Sequence, residues 1–268
     1  MRDLWIRRAR QAARALSRRF GVTAPEHINI EAFAARLGAT VTVGPLEGAV
    51  AQLVRAGSDV HIIVSARVTD DCAVRFSIAH ELGHFVLGHP SRPPSELCSG
   101  VRPRLGDREQ RNYELEANAF AGELLMPSHL LRRWCEVSPV SMEIPRRIAR
   151  DYNVSILASA IQFAELSSER CAAVLSARRE VMWTAPSSTF TREIPRGKRI
   201  DPHSVAWDFF VTGALDDDRA QPVPADAWLD TSVEVDIVEH SIASPQHGTV
   251  LSLLWIPERS ASRLSSIS

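Results

Sequence analysis

Lysine is nearly missing from this 268-residue chain: Lys198 is the only one, so arginine carries almost all the positive charge. The 31 basic and 32 acidic side chains leave a formal net charge of −1, which excludes a protein that holds nucleic acid or an anionic membrane through its global field. Cysteine is scarce as well. Cys72, Cys98, Cys135 and Cys171 stand apart with no CxxC pair, which argues against a disulfide framework or a structural zinc knuckle and fits a reducing compartment. No apolar run approaches the roughly 20 residues that a membrane-spanning helix needs. The first residues, with Asp3 followed by a run of arginines, do not read as a secretory signal, so the expected location is the cytoplasm.

What the sequence does contain is ordinary for a globular protein, with 45% hydrophobic and 24% charged residues. One segment stands out. Residues 80–84 read His-Glu-Leu-Gly-His. Two histidines four residues apart on a helix leave the same face and can share one tetrahedral ion, and a glutamate next to the first lies beside the ion's open position. His80 and His84 are therefore candidate metal ligands, and Glu81 is the candidate general base. Ile78, Leu82, Phe85 and Val86 fall on the side roughly opposite the histidines, unlike the pattern of histidines satisfied in a core. Asp70 and Asp71 suit a helix start, while Gly88 and Pro90 suit its end, which predicts a helix over 71–88.

A third ligand has to come from elsewhere, and the helix expected over 108–126 offers Glu114 and Glu116. Its apolar stripe is Tyr113, Ala117, Phe120, Ala121 and Leu124. Glu114 projects about 60° from the centre of that stripe, and Glu116 about 100° away on the other side. Asn118 lies one turn after Glu114 on nearly the same face, placed to hydrogen-bond a ligand. This favours Glu114 as the ligand and puts Glu116 on a solvated surface. His89 is an alternative third ligand, but it follows the helix-ending Gly88 and reads rather as a surface or ligand-supporting residue. Tyr113, Tyr152 and His61 are candidates for stabilising an oxyanion.

Elsewhere, a basic amphipathic helix is expected over 3–20 and a second short helix over 29–37. Strands follow over 39–43, 49–54 and 60–64, then a Pro-, Ser- and Arg-rich loop over 90–107. The strand 60–64 suggests edge addition of an extended substrate. Past Ser167-Ser168-Glu169 the pattern changes to short strands (171–176, 181–184, 233–239, 249–256) separated by proline-containing loops. Trp183, Trp207, Trp228 and Trp255 concentrate there and read as packing residues.

Arg75-Phe76-Ser77-Ile78-Ala79 leading into HELGH, then Glu114-Leu115-Glu116-Ala117-Asn118-Ala119-Phe120-Ala121 and Leu124-Leu125-Met126-Pro127, make the chain resemble the ImmA/IrrE family of metallopeptidases. The resemblance covers roughly residues 9–165. It implies an α+β fold: a zincin-like domain over 1–135, a helix-turn-helix-like helical unit over 136–168, and a C-terminal α+β domain over 169–268, GAF-like and a candidate sensor. It implies zinc, or manganese in its place in the cell, on His80, His84 and Glu114, with Glu81 as base and Asn118 in support. Members resembling it cleave repressors of the helix-turn-helix type, which makes such a repressor the expected substrate. The alternative is a metal-containing regulator that senses a signal without proteolysis. Within the helix-turn-helix-like unit, Asn153 suits a left-handed turn. The helix after it, Ser155-Ile156-Leu157-Ala158-Ser159-Ala160-Ile161-Gln162-Phe163-Ala164, offers only Gln162 to a base edge and nothing basic to a phosphate. Direct DNA binding is not expected, and neither is a membrane partner.

Overall fold

The computed structural model describes residues 2–46, 48–90, 108–215, 218–231, 236–258 and 260. The loop expected over 90–107 and the start of the strand expected at 233 fall almost wholly outside the described residues. Among those described, the chain is a mixed α+β protein with two sheets, and it divides into two compact units, Met1–Leu130 with Arg150–Ser155, and Leu131–Ala149 with Ile156–Ser268.

The first unit opens with α1 (Arg2–Arg19) and α2 (Ile30–Arg36), whose N-cap Asn29 accepts from the Ala32 backbone N–H. Strands β1 (Ala39–Gly44), β2 (Ala51–Ala56) and β3 (Asp59–Ser65) form a sheet in the order β1-β3-β2. β3 runs parallel to β1, with Val41 opposite Ile62, and antiparallel to β2, with Leu53 opposite Ile62. The central strand is thus bonded on both sides. Edge addition of a substrate to residues 60–64 is ruled out by this order, because their backbone groups already pair with β1 and β2.

Two further helices complete the unit, α3 (Asp71–Leu87) and α4 (Arg108–Leu125). Asp70 caps α3 by accepting from the N–H groups of Cys72 and Ala73 at 2.9 and 3.3 Å, and Gly88 ends it in a left-handed conformation at φ 70°. α3 lies against β2 and β3 on one side and against α4 on the other. Gly83 sets the spacing of the two helices. A Cβ at that position would sit 3.1 Å from the Ala117 Cα and 3.3 Å from its carbonyl oxygen, so any other residue would require the helix backbones to give by a few tenths of an ångström. Ile62, Ile78, Leu82, Phe120 and Leu124 fill the space between these elements. α1 also packs along α4 and buries its second flank.

In the second unit, α5 (Ser128–Cys135) and α6 (Glu143–Tyr152) straddle the division between the units, and α7 (Ile156–Leu166) packs on the C-terminal sheet. That sheet is five-stranded and antiparallel, built from β4 (Cys171–Ala177), β5 (Glu180–Pro186), β6 (Gln221–Pro224), β7 (Asp236–Ser244) and β8 (Thr249–Trp255) in the order β5-β4-β8-β7-β6. α8 (Val205–Thr212) lies on β7 and β8. Its first two N–H groups, from Val205 and Ala206, donate to the buried carboxylate of Glu239, which also accepts from Trp228 Nε1 and Ser241 Oγ. Burial pushes the Glu239 pKa up, and these donors oppose it. The β4–β5 hairpin turns through Arg178 and Arg179, both in the left-handed region at φ 52° and 63°, where glycine or asparagine is usual. The sequence rules give no account of that choice. Residues 136–149 and 156–168, expected to stand as a helical unit, fall within this second unit. So does the expected boundary at 167–169, where Glu169 accepts from Trp255 Nε1 at 2.9 Å.

Candidate metal centre

α3 and α4 face each other across Gly83, and each contributes to one cluster. One turn apart on α3, His80 and His84 point their Nε2 atoms at each other at 3.0 Å. From α4, Glu114 brings an Oε2 to 3.3 Å from His80 Nε2 and 3.9 Å from His84 Nε2. All three ligand atoms lie within 4.8 Å of one another. A tetrahedral ion at about 2.0–2.1 Å from each donor would hold its ligand atoms about 3.3 Å apart, close to these separations.

The outer nitrogens of both rings are occupied. His80 Nδ1 is 2.9 Å from Asn118 Oδ1, so that nitrogen donates and Nε2 keeps its lone pair for the cluster. His84 Nδ1 is 2.9 Å from His89 Nδ1. His89 Nε2 in turn meets Glu116 Oε2 at 2.7 Å. Two imidazole lone pairs and a carboxylate oxygen converging in this way are the donor set of a divalent cation, so the residues fit the ion implied by the HExxH pattern.

Charge and burial agree with that. The His80 and His84 imidazoles beside it hold the Glu114 carboxyl well below the usual carboxylate range. Burial works against a charge on His80, yet Glu114, Glu81 and Asn118 outweigh it and raise its pKa. Burial raises Glu81, against the pull of both histidines and of the Leu53 N–H, which donates to Glu81 Oε2 at 2.9 Å. That N–H belongs to β2, the strand at the sheet edge beside α3, and its bond to Glu81 shows that it does not serve β3.

Glu116 does not lie where the helix pattern puts it. It is 1% exposed, not solvated. The reason is that α1 covers the flank of α4 that the apolar stripe leaves bare, and His89, just past the α3 cap, fills the rest of the space. Glu123, seven residues later on the same flank, is buried too; it accepts from Arg14 of α1 at 3.0 Å and from the Ser128 N–H and hydroxyl. Two acids at heptad spacing opposite an arginine-rich helix were the available signal. His89 is not on the surface either, being 4% exposed, with the Tyr113 ring against it at 4.6 Å. Burial lowers its pKa, and the bond to Glu116 opposes that. The three oxyanion candidates are dispersed. Tyr113 packs on His89, His61 sits in the central strand between Thr40 and Val54, and Tyr152 is buried beside a cavity of about 490 Å³ lined by Arg75, Asn153 and Glu26. The Leu53 and His89 contacts had no signature in the sequence.

Residues 34–162 match the family model described as the IrrE N-terminal-like domain, Peptidase_M78. No curated protein sequence matches the chain. Among solved structures, a Mycobacterium tuberculosis transcriptional regulator is similar with a TM-score of 0.59, at 15% identity, over 99% of this chain and 82% of that one. At that identity the likeness is one of fold.

Proposed function

From the match of residues 34–162 to the IrrE N-terminal-like domain, we propose that this chain is a metal-dependent endopeptidase which cleaves a transcriptional repressor of the helix-turn-helix type. The observation that carries the reading is the convergence of His80, His84 and Glu114 beside the carboxylate of Glu81. Those three residues would hold zinc, or manganese in its place. When bound, such an ion acidifies water from about 15.7 toward 7 and polarises a carbonyl. The proton work falls to Glu81, which takes a proton from the attacking water and passes it to the leaving amine; its raised pKa brings it nearer the working range for both tasks. Leu53 holds that carboxylate against the edge of β2, and the outward groups of β2 offer an extended peptide a strand to pair with beside the base.

A single open metal position supplies little selectivity, so choice of substrate has to come from docking away from the scissile bond. For that role we propose residues 136–168, and for signal sensing the C-terminal sheet with α8, in a GAF-like arrangement. The second reading, a regulator without proteolysis, is favoured by the fold likeness to a transcriptional regulator. Against it stands Glu81, since a structural metal needs no base beside an open position.

The test uses the purified zinc-loaded chain with the helix-turn-helix repressor encoded nearest to it. One discrete, chelator-sensitive cut is expected, with no digestion of casein and no cut by Glu81→Gln. Cleavage of unrelated unfolded proteins at many sites would replace this reading with a general peptidase. A specific shift of a DNA probe without any cleavage would favour the regulator.

A further inference from the structure

Behind the His80, His84 and Glu114 cluster lies a second, buried pair that the proposed reaction does not use. His89 and Glu116 are 4% and 1% exposed, and their side chains meet at 2.7 Å. A buried carboxylate of this kind is costly unless it is paired, and Glu116 Oε1 has no hydrogen-bond partner among the described residues. The bond to His89 is therefore not incidental to Glu116: it gives the other carboxylate oxygen, Oε2, its partner. The arrangement fixes where the protons are. Because the Glu116 carboxylate can only accept, His89 Nε2 donates to it. His89 Nδ1 then carries the lone pair and accepts from His84 Nδ1–H at 2.9 Å. His84 is left with its lone pair on Nε2, the atom facing His80 Nε2 and Glu114.

We propose that His89 and Glu116 are positioning residues that lock the His84 imidazole in the tautomer and orientation of a metal ligand. Asn118 does for His80 in one step what His89 and Glu116 do for His84 in two. The two arms differ in kind. Asn118 is exposed and neutral, whereas the second arm is buried and ends in a carboxylate. Tyr113 against the His89 ring keeps that imidazole from turning. The inference rests on the metal-centre reading above.

The test compares the full-length protein, its Glu116→Gln variant and the His89→Phe/Glu116→Leu double variant, with His80→Ala as a ligand-loss control. Zinc affinity is measured by competition with a chromophoric chelator, the cobalt(II) spectrum is recorded, and Tm is taken on the chelator-stripped protein. The double variant removes the pair without stranding a buried charge, so its stripped form is expected to melt near the wild type. Its zinc affinity should fall about 10–100-fold. Glu116→Gln keeps the volume and an acceptor oxygen for His89, so it should fold, lose less affinity than the double variant and shift the cobalt bands. Wild-type affinity and an unchanged cobalt spectrum in whichever of these variants folds would overturn the proposal. So would an affinity loss matched by an equal loss of Tm in the stripped form, since that marks a purely structural pair. Failure of the wild type itself to bind zinc stoichiometrically would overturn the metal-centre reading along with it, and is told apart by the wild-type titration alone.

Discussion

At the residue scale, the neighbours of each site side chain say what its loss should do. Glu114 touches both histidines and is the carboxylate of the cluster, so Glu114→Ala should strip or greatly weaken the metal, as His80→Ala and His84→Ala should. Metal analysis after gel filtration checks this; stoichiometric zinc retained by any of the three would remove that residue from the ligand set. Asn118 meets His80 through one hydrogen bond from an exposed position, so Asn118→Ala should cost about 10–100-fold in affinity without unfolding the protein. Glu81 behaves differently. It accepts from the Leu53 N–H and is not one of the three converging ligands, so Glu81→Gln should keep the metal and lose several orders of magnitude in hydrolysis, read from single-turnover cleavage of the repressor.

Elements add constraints that no single residue carries. The contact of α3 with α4 rests on Gly83, whose added Cβ would meet the Ala117 backbone at 3.1 Å. Gly83→Ala should therefore force the helices apart and cost about 1–3 kcal/mol, seen as a lower urea midpoint. Because Glu114 and the two histidines sit on opposite sides of that contact, metal affinity should fall with it; an unchanged midpoint and affinity would show that the helices can give at no cost. The start of α8 is a comparable case in the second unit. Glu239 is fully buried and collects donors from Val205, Ala206, Trp228 and Ser241. Glu239→Ala leaves those donors unmet and should destabilise the fold by about 3 kcal/mol or more, measured by chemical denaturation.

At the scale of the whole molecule, the division into units governs where the chain can be cut. A break after residue 168 looked natural from the change in sequence pattern. Yet α7 packs on β4 and β5, and Ala160, Phe163 and Ala164 on it are buried. A chain ending at 168 should expose that face, bind a hydrophobic dye and aggregate, although every residue of the candidate metal centre lies in the first unit. A monodisperse, dye-silent truncated protein would show that α7 needs no sheet. No helix among the described residues is long and apolar enough to cross a membrane.

What the sequence determined by itself was what depends on near neighbours along the chain. The pairing of His80 with His84, the Asp70 cap, the Gly88 stop, the left-handed Asn153 at φ 49° and the bounds of α3 and α4 are all set within a turn or two of helix or by a local turn. Glu114 was legible for the same reason, as a matter of angle on one helix. Only the tertiary structure decided which flanks of that helix are covered and which strand is central. Glu116 looked solvated because nothing within a few residues hides it; α1, some hundred positions earlier in the chain, and His89 do. Strand β3 has the sequence of an edge or a centre alike, and its place between β1 and β2 comes from pairing, not from its own residues. Periodicity reports the face a residue takes on its own element, and burial is decided by what another element lays against that face.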